Sequence, residues 1–282
     1  MSVDTKINNL AKRVALFANA RDELNIKEWA AHHLLIGFDF VVIFDHKSKI
    51  PLQKVFENFD KRVKVFNASK LNAKGVKMEL MNFAAFLAKK HKIDWMIYLD
   101  ADEFLILNKK FIGVKHFLNH YSYAHSIGIN WLIFGSNNLK DEPEGLILEN
   151  YTKSQLNVNN HVKSFVRPTK IVNATNPHFY NTKNRDKMYG INGNVIKGIP
   201  AFNKLNNVPY CNVNAYIAHY VNQSEETFRR RKGLLPRDDT GTNRNISEDE
   251  IKNLHKSYND VDNLEPKDRY SENVKKFLEQ YK

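Results

Sequence analysis

The chain has 282 residues, of which 42% are hydrophobic and 12% aromatic, so it can bury a sizeable core and is not a disordered chain. No apolar run reaches the ~20 residues of a membrane span, and residues 1–9 lack the apolar segment of a signal peptide. The single cysteine, Cys211, excludes an internal disulfide and a zinc site built from cysteines. Because one cysteine also suits a reducing compartment, we expect a cytoplasmic protein.

The net charge of +12 indicates an anionic partner. No helix-turn-helix, zinc-finger or ribonucleoprotein signature occurs, so nucleic acid is not the expected partner. We favour an anionic small substrate, and peripheral association with the inner face of a membrane is the second interpretation. The densest basic cluster covers residues 229–232. It would complete a phosphate pocket, although such a run is more often a solvated face.

Strands and helices alternate in the first part of the chain, which predicts a parallel sheet covered by helices. The expected strands are residues 13–18, 38–44, 63–66 and 96–99. The expected helices are residues 23–36, a short one opened by Pro51, and residues 73–91.

The second half of the chain predicts fewer regular elements. A helix at residues 111–120, strands at 126–134 and 213–221, and extended segments at 161–171 and 176–180 are expected; residues 139–160 and 181–207 are expected to be loops. Ser224, Ser247 and Ser271 are placed to begin three further helices. Since no proline-rich or serine-rich linker divides the chain, we predict one α/β domain at residues 1–245 with a helical extension at 246–282 packed on it.

Three acids, Asp100, Asp102 and Glu103, follow the fourth expected strand. Carboxylates at the end of a buried strand are costly without a cation. Ligands bind at the carboxyl ends of parallel strands, and right-handed crossovers would bring Arg21 and Asp45 to the same edge. The Asp-x-Asp pattern therefore suggests a divalent metal that holds a phosphorylated ligand. The alternative is that these acids cap the next turn or helix.

Several blocks of sequence occur in a fixed order between residues 20 and 233. They are residues 20–23, 28–37, 43–45, 95–104, 131–136, 162–168, 177–178 and 218–224, followed by Glu226, Phe228, Lys232 and Gly233. Together they resemble glycosyltransferases of the GT-A fold, above all family 92 and related bacterial family-2-like enzymes. The last fifty residues lie outside the resemblance.

The resemblance implies a GT-A, Rossmann-like sheet, a UDP-sugar or other nucleotide-sugar donor, a glycan or glycolipid acceptor and inversion at the anomeric carbon. It also implies bound Mn²⁺ or Mg²⁺. The family's Asp-x-Asp falls on Asp100 and Asp102, and its later His-Tyr pair falls on His219 and Tyr220. One departure is Met78, which stands near a position where relatives often carry glutamine.

We expect Asp102 to be the first metal ligand, and Asp100 to contact the ribose, or the metal through a water molecule. His219 is the expected third ligand, since imidazole suits Mn²⁺ better than Mg²⁺. Without the resemblance, His219 would be read as a satisfied core histidine. Arg21 and Glu23 follow the first strand, where the donor would bind. The alternative for Glu23 is helix capping, and for Arg21 a surface position.

The remaining donor contacts expected are Asp45, Lys163, Arg167, His178 and Lys232. Asp45 would accept from uracil or ribose, and the basic residues would meet phosphates or the acceptor. For Lys163 and Arg167, an exposed strand face is the alternative.

Simple inversion needs a carboxylate within hydrogen-bond reach of the acceptor hydroxyl. The candidates for this general base are Asp141, Glu142 and Glu144, which follow the strand expected at residues 126–134. Asp186 and Glu226 are the alternatives.

Two other functions stay open. A sugar nucleotidyltransferase also pairs such a sheet with acids and a metal, but it would want a glycine-rich loop with a lysine after the first strand, and residues 19–23 contain no glycine. A noncatalytic protein that binds glycans or membranes is the alternative from another class.

Overall fold

The computed structural model describes residues 11–72, 74–235 and 242–282. Its strands are β1 (Val14–Ala20), β2 (Phe40–Asp45), β3 (Val63–Asn67), β4 (Trp95–Tyr98), β5 (Glu103–Leu107), β6 (Ser126–Ile133), β7 (Lys153–Ser154), β8 (Val162–Val166), β9 (Ile171–Asn176), β10 (Phe179–Thr182), β11 (Met188–Gly190), β12 (Ala215–His219) and β13 (Val261–Asp262).

The α-helices in this part of the chain are α1 (Ile26–Leu35), α2 (Leu52–Val55), α3 (Val76–Lys90), α4 (Val114–His120), α5 (Ile147–Asn150), α6 (Glu225–Phe228), α7 (Glu248–Lys256) and α8 (Glu272–Glu279). Two π-helical segments, Arg229–Leu234 and Lys267–Ser271, adjoin α6 and α8. None of the described helices is both long and apolar enough to cross a membrane.

The main sheet has the order β3-β2-β1-β4-β8-β6-β12-β5, with β11 also paired to β6. Strands β3, β2, β1 and β4 run parallel. β8 is antiparallel to both β4 and β6, and β12 is parallel to β6 but antiparallel to β5. The fold is therefore of the α/β class predicted, a mixed and mainly parallel Rossmann-like sheet covered by helices.

The sheet separates two apolar cores. Along β1, Leu16 and Ala18 belong to one core whereas Ala15 and Phe17 belong to the other, because successive side chains of a strand point to opposite faces. Helices α1, α4 and α8 contribute to the first core, and α3 covers the second. α3 buries Val76 and Leu80 of its predicted apolar stripe, together with Met81, Ala84, Ala85 and Ala88, but Phe83 of that stripe is exposed and Leu87 is only partly buried.

The C-terminal residues are helical and lie against the first core. Val274 and Phe277 of α8 are buried there, and the ring of Phe277 lies 5.9 Å from that of Phe59. The strand β13 pairs with β7. The domain boundary at residue 245 stays a prediction.

Several elements differ from expectation. β5 was not expected, α5 and β7 lie in the segment read as a loop at residues 139–160, and β11 lies in the one at 181–207. Ser224, Ser247 and Ser271 directly precede α6, α7 and α8 as predicted. The first two cap their helices with the side chain, whereas the hydroxyl of Ser271 donates to the carbonyl of Lys267, at 2.6 Å. Residues 1–9 and Ala73, where the third helix was expected to begin, lie outside the described residues.

Candidate active site

A cleft of about 540 Å³ opens at the carboxyl ends of β1 and β4, which are neighbouring parallel strands. Its described lining includes the carboxylates of Glu23, Asp100 and Asp102. Cationic side chains from four separate parts of the chain face them: Arg21, Lys77, the pair Arg231 and Lys232, and Arg244. The cleft thus combines a few acids with a larger number of cations.

Asp100 is bound by two lysines. Lys77, in the first turn of α3, forms an ion pair with one carboxylate oxygen, and Nζ of Lys163 on β8 lies 3.1 Å from the other. Burial alone would raise the pKa of Asp100, but the two lysines hold it below its ordinary value. The carboxylate of Asp100 is therefore ionised and already compensated.

Asp102 is paired with a different set of groups. Nη2 of Arg231 donates to it at 2.8 Å, and Nε2 of His219 lies 3.7 Å from the same oxygen. Its backbone carbonyl accepts from the N–H of Tyr220 at 2.9 Å, which fixes it beside the end of β12. Against the effect of burial, Arg231 and then His219 hold the pKa of Asp102 well below its usual range.

His219 lies between Asp102 and the ring of Trp131, whose centroid is 4.4 Å away. Its Nδ1 is buried and has no hydrogen-bond partner among the described residues. Within the described ranges, no three His, Cys, Asp or Glu side chains gather as a metal site. Asp102 and His219 nevertheless place a carboxylate oxygen and an imidazole nitrogen 3.7 Å apart, a pair of donors that suits a cation with further ligands from phosphate oxygens. Asp100 is turned toward the lysines instead.

Glu23 and Arg21 occupy the side of the cleft formed by the end of β1. The carboxylate of Glu23 lies 3.4 Å from Arg231, and burial raises its pKa although Arg231 opposes this. Nε of Arg21 donates to the carbonyl of His46 at 2.8 Å. This bond holds Arg21 against the loop that follows β2.

The π-helical segment Arg229–Leu234 carries Arg231 and Lys232 into the cleft. Arg230 of the same segment donates to the carbonyl of Asp22 at 2.9 Å. Burial, and then the charge of Arg231, lower the pKa of Lys232. Two members of the basic cluster, Arg231 and Lys232, therefore belong to the wall of the cleft; that the cluster completes a phosphate pocket stays a prediction.

Four of the expected donor contacts are not part of the described cleft lining. Both carboxylate oxygens of Asp45 accept backbone N–H groups, from Ser48 at 3.1 Å and Leu52 at 2.9 Å. Lys163 lies behind Asp100. The other two are held elsewhere: Arg167 donates to the carbonyl of Ala124 at 3.0 Å, and Nδ1 of His178 lies 3.0 Å from the carbonyl of Val162.

The expected general bases also lie outside the described lining. Asp141 and Glu144 are exposed. Glu142 is partly buried, which raises its pKa, and it accepts from the hydroxyl of Ser224 at 3.3 Å. The rivals Asp186 and Glu226 are exposed as well.

Sequence reasoning did not single out Lys77 and Arg244 as site residues. Lys77 had one available signal, since it stands in the first turn of the helix that precedes the strand into Asp100. Arg244 had none, because it lies in a polar stretch far along the chain from the acids it approaches.

Comparisons with known proteins identify a family. The family model described as Glycosyltransferase family 92 matches residues 15–261. A search of curated proteins finds no significant match.

Solved structures resemble the fold at low identity. A crystal structure of HddC from Yersinia pseudotuberculosis is 9% identical, with a TM-score of 0.35, and the match covers 63% of this chain and 89% of that one. A 4-diphosphocytidyl-2C-methyl-D-erythritol synthase is 14% identical, with a TM-score of 0.35 and coverages of 56% and 77%. A cytidylyltransferase from Leptospira borgpetersenii serovar Hardjo-bovis (strain JB197) is 12% identical, with a TM-score of 0.30 and coverages of 56% and 60%.

Proposed function

The chain belongs to glycosyltransferase family 92, and we propose that it moves a sugar from a nucleotide-sugar donor, a UDP-sugar, onto a hydroxyl group of a glycan or glycolipid. The observation that supports this most is the pairing of Asp102 and His219 at the edge of the parallel strands, in a cleft ringed by lysine and arginine. We place this activity in the cytoplasm.

Cationic side chains suit the leaving group of such a reaction. Breaking the bond between sugar and diphosphate builds negative charge on the phosphate, so groups that meet this charge lower the barrier. Lys77, Arg231 and Lys232 line one cleft with the end of β1. Arginine can hold two phosphate oxygens at once, whereas lysine acts as a point charge.

Asp102 and His219 are the residues that would hold Mn²⁺ or Mg²⁺. When bound, such an ion neutralises charge on the departing phosphate. Asp100 has a different part in this proposal. Its side chain is 31% exposed while Lys77 and Lys163 fix its orientation, so it can accept a hydrogen bond from a ribose hydroxyl.

For the inverting step we rank Glu142 first among the three candidate bases. It is the partly buried one, and burial raises its pKa toward the range in which a carboxylate removes a proton effectively. Glu142→Gln should lower transfer to an acceptor far more than it lowers donor hydrolysis. Glu144→Gln, at an exposed position two residues away, is the matched control.

The test of the function is nucleotide release from UDP-, GDP- and CMP-sugars, measured with Mn²⁺ and with EDTA. We expect release of UDP that needs the metal and falls at least about 100-fold in Asp102→Asn. Asp262→Asn, which removes an exposed partner of Lys153, should leave the rate unchanged.

Two outcomes would contradict the proposal. No metal-dependent release from any donor would favour a noncatalytic binding protein. Release of pyrophosphate from a nucleoside triphosphate and a sugar phosphate would instead identify a nucleotidyltransferase.

A further inference from the structure

A row of apolar side chains is exposed on the outer surface of α3 and its neighbours. Phe66 on β3, Phe83 and Phe86 on α3, and Val172 on β9 are 41%, 42%, 56% and 58% exposed. We call these four residues the aromatic patch. Exposed large apolar groups that adjoin one another mark an interaction surface more often than single ones do.

Ring contacts join the three phenylalanines. Phe83 stacks on Phe86 with centroids 6.1 Å apart. Phe44, which is buried beneath them, lies 6.0 Å from Phe66 and 5.9 Å from Phe83. The exposed rings therefore form one continuous row from the edge strand β3 across α3.

β9 lies along one side of α3. Asn82 and Lys89 of α3 hydrogen-bond to the backbone of this strand, at 2.8 and 3.0 Å. Phe86 comes four residues after Asn82 and three before Lys89, so it lies on the same side of the helix as these two residues. Phe86 is thus on the side of α3 that faces β9, the strand that carries the exposed Val172.

Positive charge surrounds the aromatic patch. Residues 61–92 contain nine lysine or arginine residues and one acid, Glu79. This segment therefore supplies two-thirds of the net charge of +12. Lysines of β3, of the last turn of α3 and of the turns beside them are exposed: Lys64, Lys70, Lys89, Lys90 and Lys92.

We propose that the aromatic patch docks on an anionic lipid surface. Aromatic rings enter the boundary between headgroups and acyl chains, and lysines beside them meet anionic headgroups, which together give reversible binding. A second copy of this chain fits less well, because a symmetric contact would bring the lysine-rich rims of two identical patches together.

The same helix connects the aromatic patch to the cleft. Lys77 in the first turn of α3 lines the cleft, and Phe83 follows six residues later, roughly 9 Å along the helix axis. Docking through Phe83 and Phe86 would therefore hold the mouth of the cleft close to the lipid surface.

The test is co-sedimentation of the full chain with vesicles, without any donor, so that its result is independent of the proposed transfer activity. Vesicles of phosphatidylcholine alone are compared with vesicles that also contain phosphatidylglycerol. We expect binding to the anionic vesicles that falls about tenfold in Phe83→Ser/Phe86→Ser and falls in high salt. The control is Ile112→Ser, whose side chain is 95% exposed and lies beside Phe111 of the opposite core.

Circular dichroism and unfolding in urea check that each variant folds. Equal binding of the double variant and the wild type to anionic vesicles would overturn the proposal. So would equal binding to both kinds of vesicle, since the lysines would then have no part. A wild-type dimer that dissociates in the double variant, with no binding to vesicles, would assign the aromatic patch to a second copy instead.

Discussion

Nη2 of Arg231 donates a hydrogen bond of 2.8 Å to the carboxylate of Asp102, the same oxygen that lies 3.7 Å from His219. Both side chains of the ion pair are nearly buried, at 12% and 5% exposure. The carboxylate expected to bind a divalent metal ion is therefore already paired with the guanidinium of Arg231. A metal bound by Asp102 would compete with Arg231 for this oxygen.

Arg231→Met should strengthen the binding of Mn²⁺ to the free protein, by about tenfold, because the ion pair no longer has to be broken. The affinity is measured by electron paramagnetic resonance, which detects free Mn²⁺ without any turnover. Transfer activity should fall in the same variant, since we also propose that Arg231 contacts the leaving phosphate.

Arg229→Met is the matched control for this prediction. Arg229 belongs to the same π-helical segment but pairs with Glu225 and Glu248 instead. Unchanged affinity for Mn²⁺ in Arg231→Met would mean that the metal does not use Asp102.

Lys163 contacts a residue of the cleft and also stabilises the fold. Its Nζ lies 3.1 Å from Asp100 and 3.4 Å from Glu103, and its side chain is 1% exposed. Although burial opposes its charged form, Asp100 and Glu103 raise its pKa. Lys163→Met leaves two acids without this cation, so the free energy of unfolding should fall by about 3–5 kcal/mol in urea titrations.

The double variant Lys163→Met/Glu103→Gln should recover part of that loss, because it also removes one of the uncompensated acids. Lys153→Met is the control at the surface. Its ion pair with Asp262 is exposed, so the expected cost is below about 1 kcal/mol. Equal losses in Lys163→Met and Lys153→Met would contradict the inference.

The sequence predicts the parallel half of the sheet because β1, β2, β3 and β4 are set by local signals: each is a short apolar segment, and a helix follows each of the first three. It does not predict β5, although residues 104–107 form a short apolar run directly after the acids. The insertion of β8 between β4 and β6 depends on pairing between distant segments. No local pattern records such pairing.

The same distinction applies to the site. Asp100 and Asp102 reach the edge of the sheet because they follow a buried strand, which a local pattern reveals. Arg231 comes 129 residues after Asp102, and only the folded chain brings the two together. Asp45 shows the reverse case, since it ends its strand at the expected edge but is occupied by backbone N–H groups of its own loop.

Asp45→Asn tests whether this residue serves the fold or the donor. The amide keeps one acceptor oxygen, so one of the N–H groups of Ser48 and Leu52 loses its partner. The free energy of unfolding should fall by about 1–3 kcal/mol, while the affinity for UDP, measured by calorimetry, should stay the same. Weaker UDP binding at unchanged stability would instead show that Asp45 contacts the donor.

Glu28 on α1 has a buried carboxylate that is not part of the described cleft lining. Its two oxygens accept the N–H groups of Ile147 and Leu148, at 2.8 and 3.0 Å, at the start of α5. Burial raises the pKa of Glu28 from about 4.5 to about 8, even though these two hydrogen bonds favour the ionised form.

Because the pKa of Glu28 is higher in the folded chain than in the unfolded one, its protonated form stabilises the fold. That stabilisation is complete below about pH 4.5 and is lost as the pH rises to about 8. Glu28→Gln stays neutral, so its free energy of unfolding should fall less between pH 5 and 8 than that of the wild type, by about 2–4 kcal/mol. Urea titrations across this range measure the difference, with Glu57→Gln at an exposed position as the control. Parallel pH profiles for the wild type and Glu28→Gln would show that Glu28 is already ionised in the fold, held by its two backbone donors.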